Sequence, residues 1–213
     1  MKKEIAIDIK DLFEDEVIVS KIQNKLPKLF RVAEIETSRA GKIGMEVGSV
    51  REKIISALLI YKFGKENVDI NIPITEPETD VIVGNNDISI KTITANGGVK
   101  AVWTVDAQSS QNFINNYKPK CDIILVQIWW GLEKNSFFLI PLEVQEEIFK
   151  KLGKNNYLNL PKAGTNPRGV EFNRLAIEEM LNHPETLKIK IRWDRGNLKH
   201  DVYERWVEYW EQD

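Results

Sequence analysis

At 213 residues and 42% hydrophobic content, the chain is long enough for one domain with a core of its own, and no internal repeat or low-complexity tract divides it. Its 30 basic and 32 acidic residues leave a formal charge of -2, which neither demands nor forbids a nucleic-acid partner. One cysteine, Cys121, excludes an internal disulfide, and two histidines, His183 and His200, argue against both a zinc site and a Ser-His-Asp mechanism.

The opening segment "MKKEIAIDIKDLFEDEV" carries acids throughout and has no long apolar core, so it is not a signal peptide. No run approaches the length of a membrane span. The expectation is a soluble cytoplasmic protein. Residues 9 to 38 carry apolar side chains at near-helical spacing, with Pro27 set to break or kink the run. "AGKIGMEVG", with three glycines, reads as an irregular loop. Ser49 then starts a strong helix ending at Gly64, with Glu52 three residues on in the capping-box pattern.

Strands follow. "VDINIPI" (68 to 74), a hairpin within "DVIVGNNDISIKT" (80 to 92), "DIILVQIWW" (122 to 130) and "SFFLIPL" (136 to 142) all favour β structure. Residues 106 to 117 read as a helix crossing the sheet, 141 to 153 and 171 to 183 as further helices, "LKIKIRW" as a strand and "DVYERWVEYWEQ" as a terminal helix. The order implies one α/β domain built on a central mixed sheet flanked by helices.

The hairpin carries the chemistry. With Gly84-Asn85-Asn86-Asp87 as its turn, Val83 is expected opposite Ile88, and Asp80 opposite Lys91. Alternation then puts Val81, Val83, Ile88 and Ile90 on a core face and Asp80, Ile82, Ser89 and Lys91 on the other. A carboxylate beside an ammonium is either a cross-strand ion pair or a metal site in which Lys91 handles a water. Glu52, if the helix lays its first turn over the ribbon, adds a second carboxylate; its alternative is a capping residue and nothing more. Two carboxylates and a lysine suit Mg²⁺, which keeps several waters and needs few protein ligands.

In this block of Glu52 on a helix, Asp80, then Ser89-Ile90-Lys91 on the next strand, the chain resembles the PD-(D/E)xK nucleases. Among them it is most similar to type II restriction endonucleases, and most narrowly to the ThaI family that cuts CGCG. The downstream "VWTVDAQSSQNFINNYKPKCDIILVQIWW" supplies the crossover helix and core strand that this fold places after its lysine. The sequence departs from the motif twice: Thr79 stands where a proline is usual, and Ser89 where the second acid is usual. A literal match at Asp8-Ile9-Lys10 lacks a partner strand and is incidental.

The resemblance implies a restriction-endonuclease-like core that hydrolyses double-stranded DNA with Mg²⁺, leaving blunt ends with 5′-phosphate and 3′-hydroxyl groups. Asp80 and Glu52 would hold the metal, Ser89 would lend a hydroxyl or its carbonyl, and Lys91 would position the attacking water. Gln127, central in a buried strand, reads first as a satisfied core amide and second as a candidate near the site. Arg168, with Thr165 and Asn166 in the "KAGTNPRG" loop after Lys162, is the first candidate for reading bases. Met45 is the candidate wedge between base pairs, with Arg39 and Lys42 on phosphates. Lys188, Lys190 and Arg192 alternate along one strand, as a backbone-following stripe or a solvated face. A palindromic site cut on both strands implies a homodimer, for which Trp193, Trp206 and Trp210 offer apolar surface. The expected layout is residues 1–48 as N-terminal helices and DNA-contacting loop, 49–153 as catalytic core, and 154–213 as recognition loop, helices and dimer contacts. Two alternatives stand beside this one: a structure-specific repair or junction nuclease, and a non-catalytic DNA-binding module with a degenerate site.

Overall fold

Apolar side chains at helical spacing from Leu12 onward build two helices, α1 (Asp11–Glu14) and α2 (Glu16–Glu36). The computed structural model describes residues 7–73, 76, 78–104, 106–160 and 169–212. Asp15 divides the helical run that residues 9 to 38 suggest. Its carboxylate accepts from the Val17 and Ile18 N–H groups at 2.9 and 3.2 Å, capping α2. Pro27 does not break α2; it is buried within it. The glycine-rich stretch is not wholly irregular, since β1 (Ser38–Arg39) and β2 (Lys42–Ile43) form a small ribbon turning through Ala40 and Gly41.

The helix α3 (Val47–Phe63) leads to the short strand β3 (Val68–Asp69), where a strand to residue 74 was expected; Ile74 lies outside the described residues. Then come β4 (Val81–Val83), β5 (Asn86–Thr94), β6 (Lys100–Val102), α4 (Ala107–Asn116), β7 (Asp122–Ile128) and β8 (Glu133–Ile140). The chain continues through α5 (Leu142–Leu152), α6 (Lys154–Tyr157), β9 (Leu158–Asn159), β10 (Val170–Phe172), α7 (Arg174–Asn182), β11 (Leu187–Arg192) and α8 (Glu204–Trp210).

Six strands make one mixed sheet in the order β11-β8-β7-β5-β4-β3. Only β5 and β7 run parallel within it, and α4 lies in the crossover that a parallel pair requires. One face carries α1, α2 and α3 over a core that includes Phe30, Ile55, Leu59, Ile90 and Ile124. The other carries α4, α5 and α7 over Ile93, Leu125, Phe138 and Tyr157, closed by a second sheet of order β6-β10-β9. Trp193 is 0% exposed and packs between Phe30 and Trp130, so it belongs to the core and offers no dimer surface.

Candidate active site

The β4–β5 hairpin has a tighter turn than its residue types suggest. Val83 pairs with Asn86, Ile82 with Asp87 and Val81 with Ile88, which corrects the expected pairing of Val83 with Ile88. Gly84 at φ 61 opens a two-residue turn with Asn85, as a type II′ turn prefers. Asn86 and Asp87, good turn formers, instead add ladder pairs. The slip is two residues, so the faces survive: Val81, Val83 and Ile88 are fully buried and Ile90 is nearly so.

Strand β4 pairs with β5 only from Asn86 to Ile88, and among the described residues no strand continues along that edge. Asp80 turns its carboxylate onto this edge. Its Oδ2 accepts from the Ile90 N–H at 2.6 Å, the Ser89 hydroxyl at 3.1 Å and the Lys91 ammonium at 3.2 Å. Its own N–H donates to the Ile88 carbonyl at 2.9 Å. Among the described residues no donor reaches its second oxygen, Oδ1.

Glu52 comes from α3. That helix begins at Val47, so Ser49 lies inside the first turn and the expected Ser49 cap with its capping box does not form. The Glu52 side chain is therefore not spent on the backbone; it lines a cleft of about 430 Å³ together with Asp80, Lys91, Met45 and Trp103. Burial, then the neighbouring Asp80 charge, hold the Glu52 carboxyl above its ordinary value, with Lys91 and Lys53 opposing. Two carboxylates that repel across a cleft are a donor set suited to a hard divalent cation. Among the described residues no cluster of three or more Asp, Glu, His or Cys is arranged to hold a metal, so water or substrate oxygens would complete the shell.

The chain as a whole has known counterparts. Residues 12–212 match the family described as "Restriction endonuclease ThaI". The chain belongs to the ThaI restriction-endonuclease family. It is a type II endonuclease. A solved structure described as "Restriction endonuclease in complex with substrate DNA" is 51% identical, with a TM-score of 0.87, and the match covers 94% of this chain and 97% of that one. No curated protein matches the chain.

In this ThaI-family chain, Asp80, Ser89 and Lys91 meet at the hairpin, and Glu52 lines the same cleft as Asp80 and Lys91. Ser89 is buried, and its hydroxyl points to Asp80. Met45 is 84% exposed on the cleft rim, with Arg39 and Lys42 on the adjacent β1–β2 ribbon, both exposed. Gln127 does not line the cleft of Glu52 and Asp80; it lines a neighbouring cleft with Asn96 and Asn135. Lys190 pairs with Glu133 and Lys188 bonds the Leu181 carbonyl, on the strand at the far edge of the sheet. Lys162, Thr165, Asn166 and Arg168 lie outside the described residues.

Two site neighbours escape a sequence reading. Trp103, after β6, stands exposed on the cleft with the Lys100 ammonium 5.4 Å from its ring. Glu78, two residues before Asp80, has a largely buried carboxyl that burial pushes up to about 6, against the opposing charges of Lys120 and Lys91. Neither carries a motif, and each shows itself only by position.

Proposed function

We propose that this chain hydrolyses double-stranded DNA at a short palindrome, CGCG on the family resemblance, in a Mg²⁺-dependent reaction carried out by a homodimer that leaves blunt ends. The reading is carried by the Asp80 carboxylate, whose one oxygen is held by Ser89, Ile90 and Lys91 while the other meets no donor among the described residues, and which shares a cleft with Glu52. The DNA held by the 51% identical relative supports the substrate class.

Asp80 and Glu52 would hold the metal, and Ser89 acts through Asp80 by fixing its orientation. When bound, the ion offsets charge building on the phosphate and lowers the pKa of a coordinated water. Lys91, within reach of Asp80, orients the attacking water and assists its deprotonation. Water attacks phosphorus and the bond to the 3′ oxygen breaks, giving 5′-phosphate and 3′-hydroxyl ends. Arg39 and Lys42 hold backbone phosphates, Met45 enters between base pairs, and Arg168 with Thr165 and Asn166 reads base edges. The exposed aromatics of α8, Trp206 and Trp210 among them, supply apolar surface for the two-fold partner.

Plasmid DNA incubated with the purified protein, with and without Mg²⁺ and beside Asp80→Ala and Lys91→Ala, tests this. Discrete Mg²⁺-dependent fragments lost in both variants, with ends mapping to CGCG, are expected. Junction-selective cutting would move the assignment to a repair nuclease. Binding without cutting would favour a degenerate module, the reading that Ser89 in the acid slot supports.

A further inference from the structure

We infer that the buried Glu34–Arg51 ion pair is a positioning device for Glu52, resting on the metal-holding role proposed for that residue. The inward ridge of α3 is Arg51, Ile55 and Leu59, all buried. An arginine takes the place where the pattern calls for an aliphatic side chain. It is 3% exposed, and its Nη2 donates to Glu34 Oε1 at 2.9 Å while Nη1 reaches Thr94 Oγ1 at 3.3 Å. Glu34, 1% exposed, also accepts from the Trp130 indole at 2.8 Å and from Arg31 at 3.3 Å. One fork therefore ties three elements: α2 through Glu34, α3 through Arg51, and the end of β5 through Thr94.

Little else holds the first turn of α3. The Glu46 side chain makes no capping bond, none of Val47 to Val50 is buried, and a Cβ at Gly48 would touch nothing within 4 Å. A buried ion pair seldom stabilises more than a well-packed apolar replacement would, so its advantage here is geometric. The planar guanidinium fixes how α3 is rotated about its axis. Glu52 is the next residue, about 100° further round the helix by the 3.6-residue turn, on the cleft side. Because Thr94 lies on the strand that bears Lys91, the same fork sets the spacing between α3 and β5. Misplacement by about 1 Å is enough to cost on the order of 100-fold in rate.

The test is the double variant Glu34→Leu/Arg51→Met, which removes both charges together, beside Arg51→Lys and Glu52→Gln. Two readouts are taken: the Mg²⁺ concentration for half-maximal single-turnover cleavage, and the Mg²⁺ dependence of the Tm of the protein alone. The double variant is expected to keep its metal-free Tm within a few degrees, while both Mg²⁺ midpoints rise about 10-fold and cleavage at saturating Mg²⁺ slows by ~10- to 100-fold. A double variant with wild-type Mg²⁺ midpoints and rate would make the pair merely structural and overturn the inference. Should that variant not fold, Arg51→Lys decides, since it keeps the charge on Glu34 but loses the fork to Thr94. Raised midpoints support the role, and unchanged ones overturn it. Wild-type cleavage by Glu52→Gln would instead remove the metal-holding role of Glu52, and the inference with it, whatever the pair does.

Discussion

The Lys91 ammonium stands 3.2 Å from the Asp80 carboxylate although the two residues are not opposed; the contact runs along a diagonal because Val81 pairs with Ile88. The same carboxylate oxygen is held independently by the Ser89 hydroxyl and the Ile90 N–H. Loss of the lysine therefore leaves Asp80 in place. Lys91→Ala is expected to cost at most about 1 kcal/mol in stability, as for a partly exposed pair, yet to slow cleavage by ~10²- to 10⁴-fold. Asp80→Asn weakens all three contacts and should cost about 1–3 kcal/mol as well as activity. Urea unfolding beside plasmid cleavage separates the two; equal destabilisation by both variants would contradict the independent anchoring of Asp80.

What could be read from the sequence follows the length and purity of each pattern. Val81, Val83, Ile88 and Ile90 alternate cleanly, so the faces of the hairpin were legible. Its register was not, because every residue from Gly84 to Asp87 suits a turn and only the folded chain selects two of them. The helix bearing Glu52 was visible in Ile55 and Leu59, but Arg51 on the same ridge breaks the apolar repeat and hides the start. Ser49 then looks like a cap although the chain enters the helix at Val47. Strands β6, β9 and β10 span three residues or fewer, too short for any period to register, so the second sheet and the site of Trp103 were out of reach. Glu78 is one of three alternating acids, with Glu76 and Asp80, among prolines and threonines, and its burial is a tertiary fact.

Met45 is 84% exposed and packs into no core. Its replacement removes nothing the fold depends on. Met45→Ala should leave stability within about 0.5 kcal/mol of wild type. If the side chain enters the base stack, DNA affinity should fall by roughly 10-fold, and the fluorescence of a 2-aminopurine placed at the cleavage site should lose its rise on binding. Unchanged affinity and fluorescence would leave Met45 a bystander on the rim.

Gly169 has φ 107, and a Cβ there would lie 2.3 Å from the Val102 carbonyl oxygen. Its N–H also donates to Thr104 Oγ1 at 3.0 Å, joining the approach to β10 with the chain after β6. Both the backbone conformation and the close approach exclude a side chain. Gly169→Ala should destabilise by about 2 kcal/mol or more, by parting β6 from β10. Faster hydrogen exchange at Val102 and Val170 would locate the damage. Native exchange at those amides would show that the second sheet does not depend on this approach.

Glu78 carries the clearest pH signature. Burial lifts its carboxyl from 4.5 to about 6, so the folded state holds a proton that the unfolded state has released. A carboxyl raised in this way lowers stability as pH rises: the loss begins near the unfolded value and is complete above the folded one. The gap from 4.5 to about 6 corresponds to about 2 kcal/mol. Glu78 is 13% exposed at its side chain, so solvent screening takes little from this figure. Glu78→Gln should match wild type near pH 4 and exceed it by up to about 2 kcal/mol at pH 7.5, measured by urea unfolding with chelator present. Parallel stability curves for the two proteins across that interval would mean that the Lys120 and Lys91 charges already offset the burial.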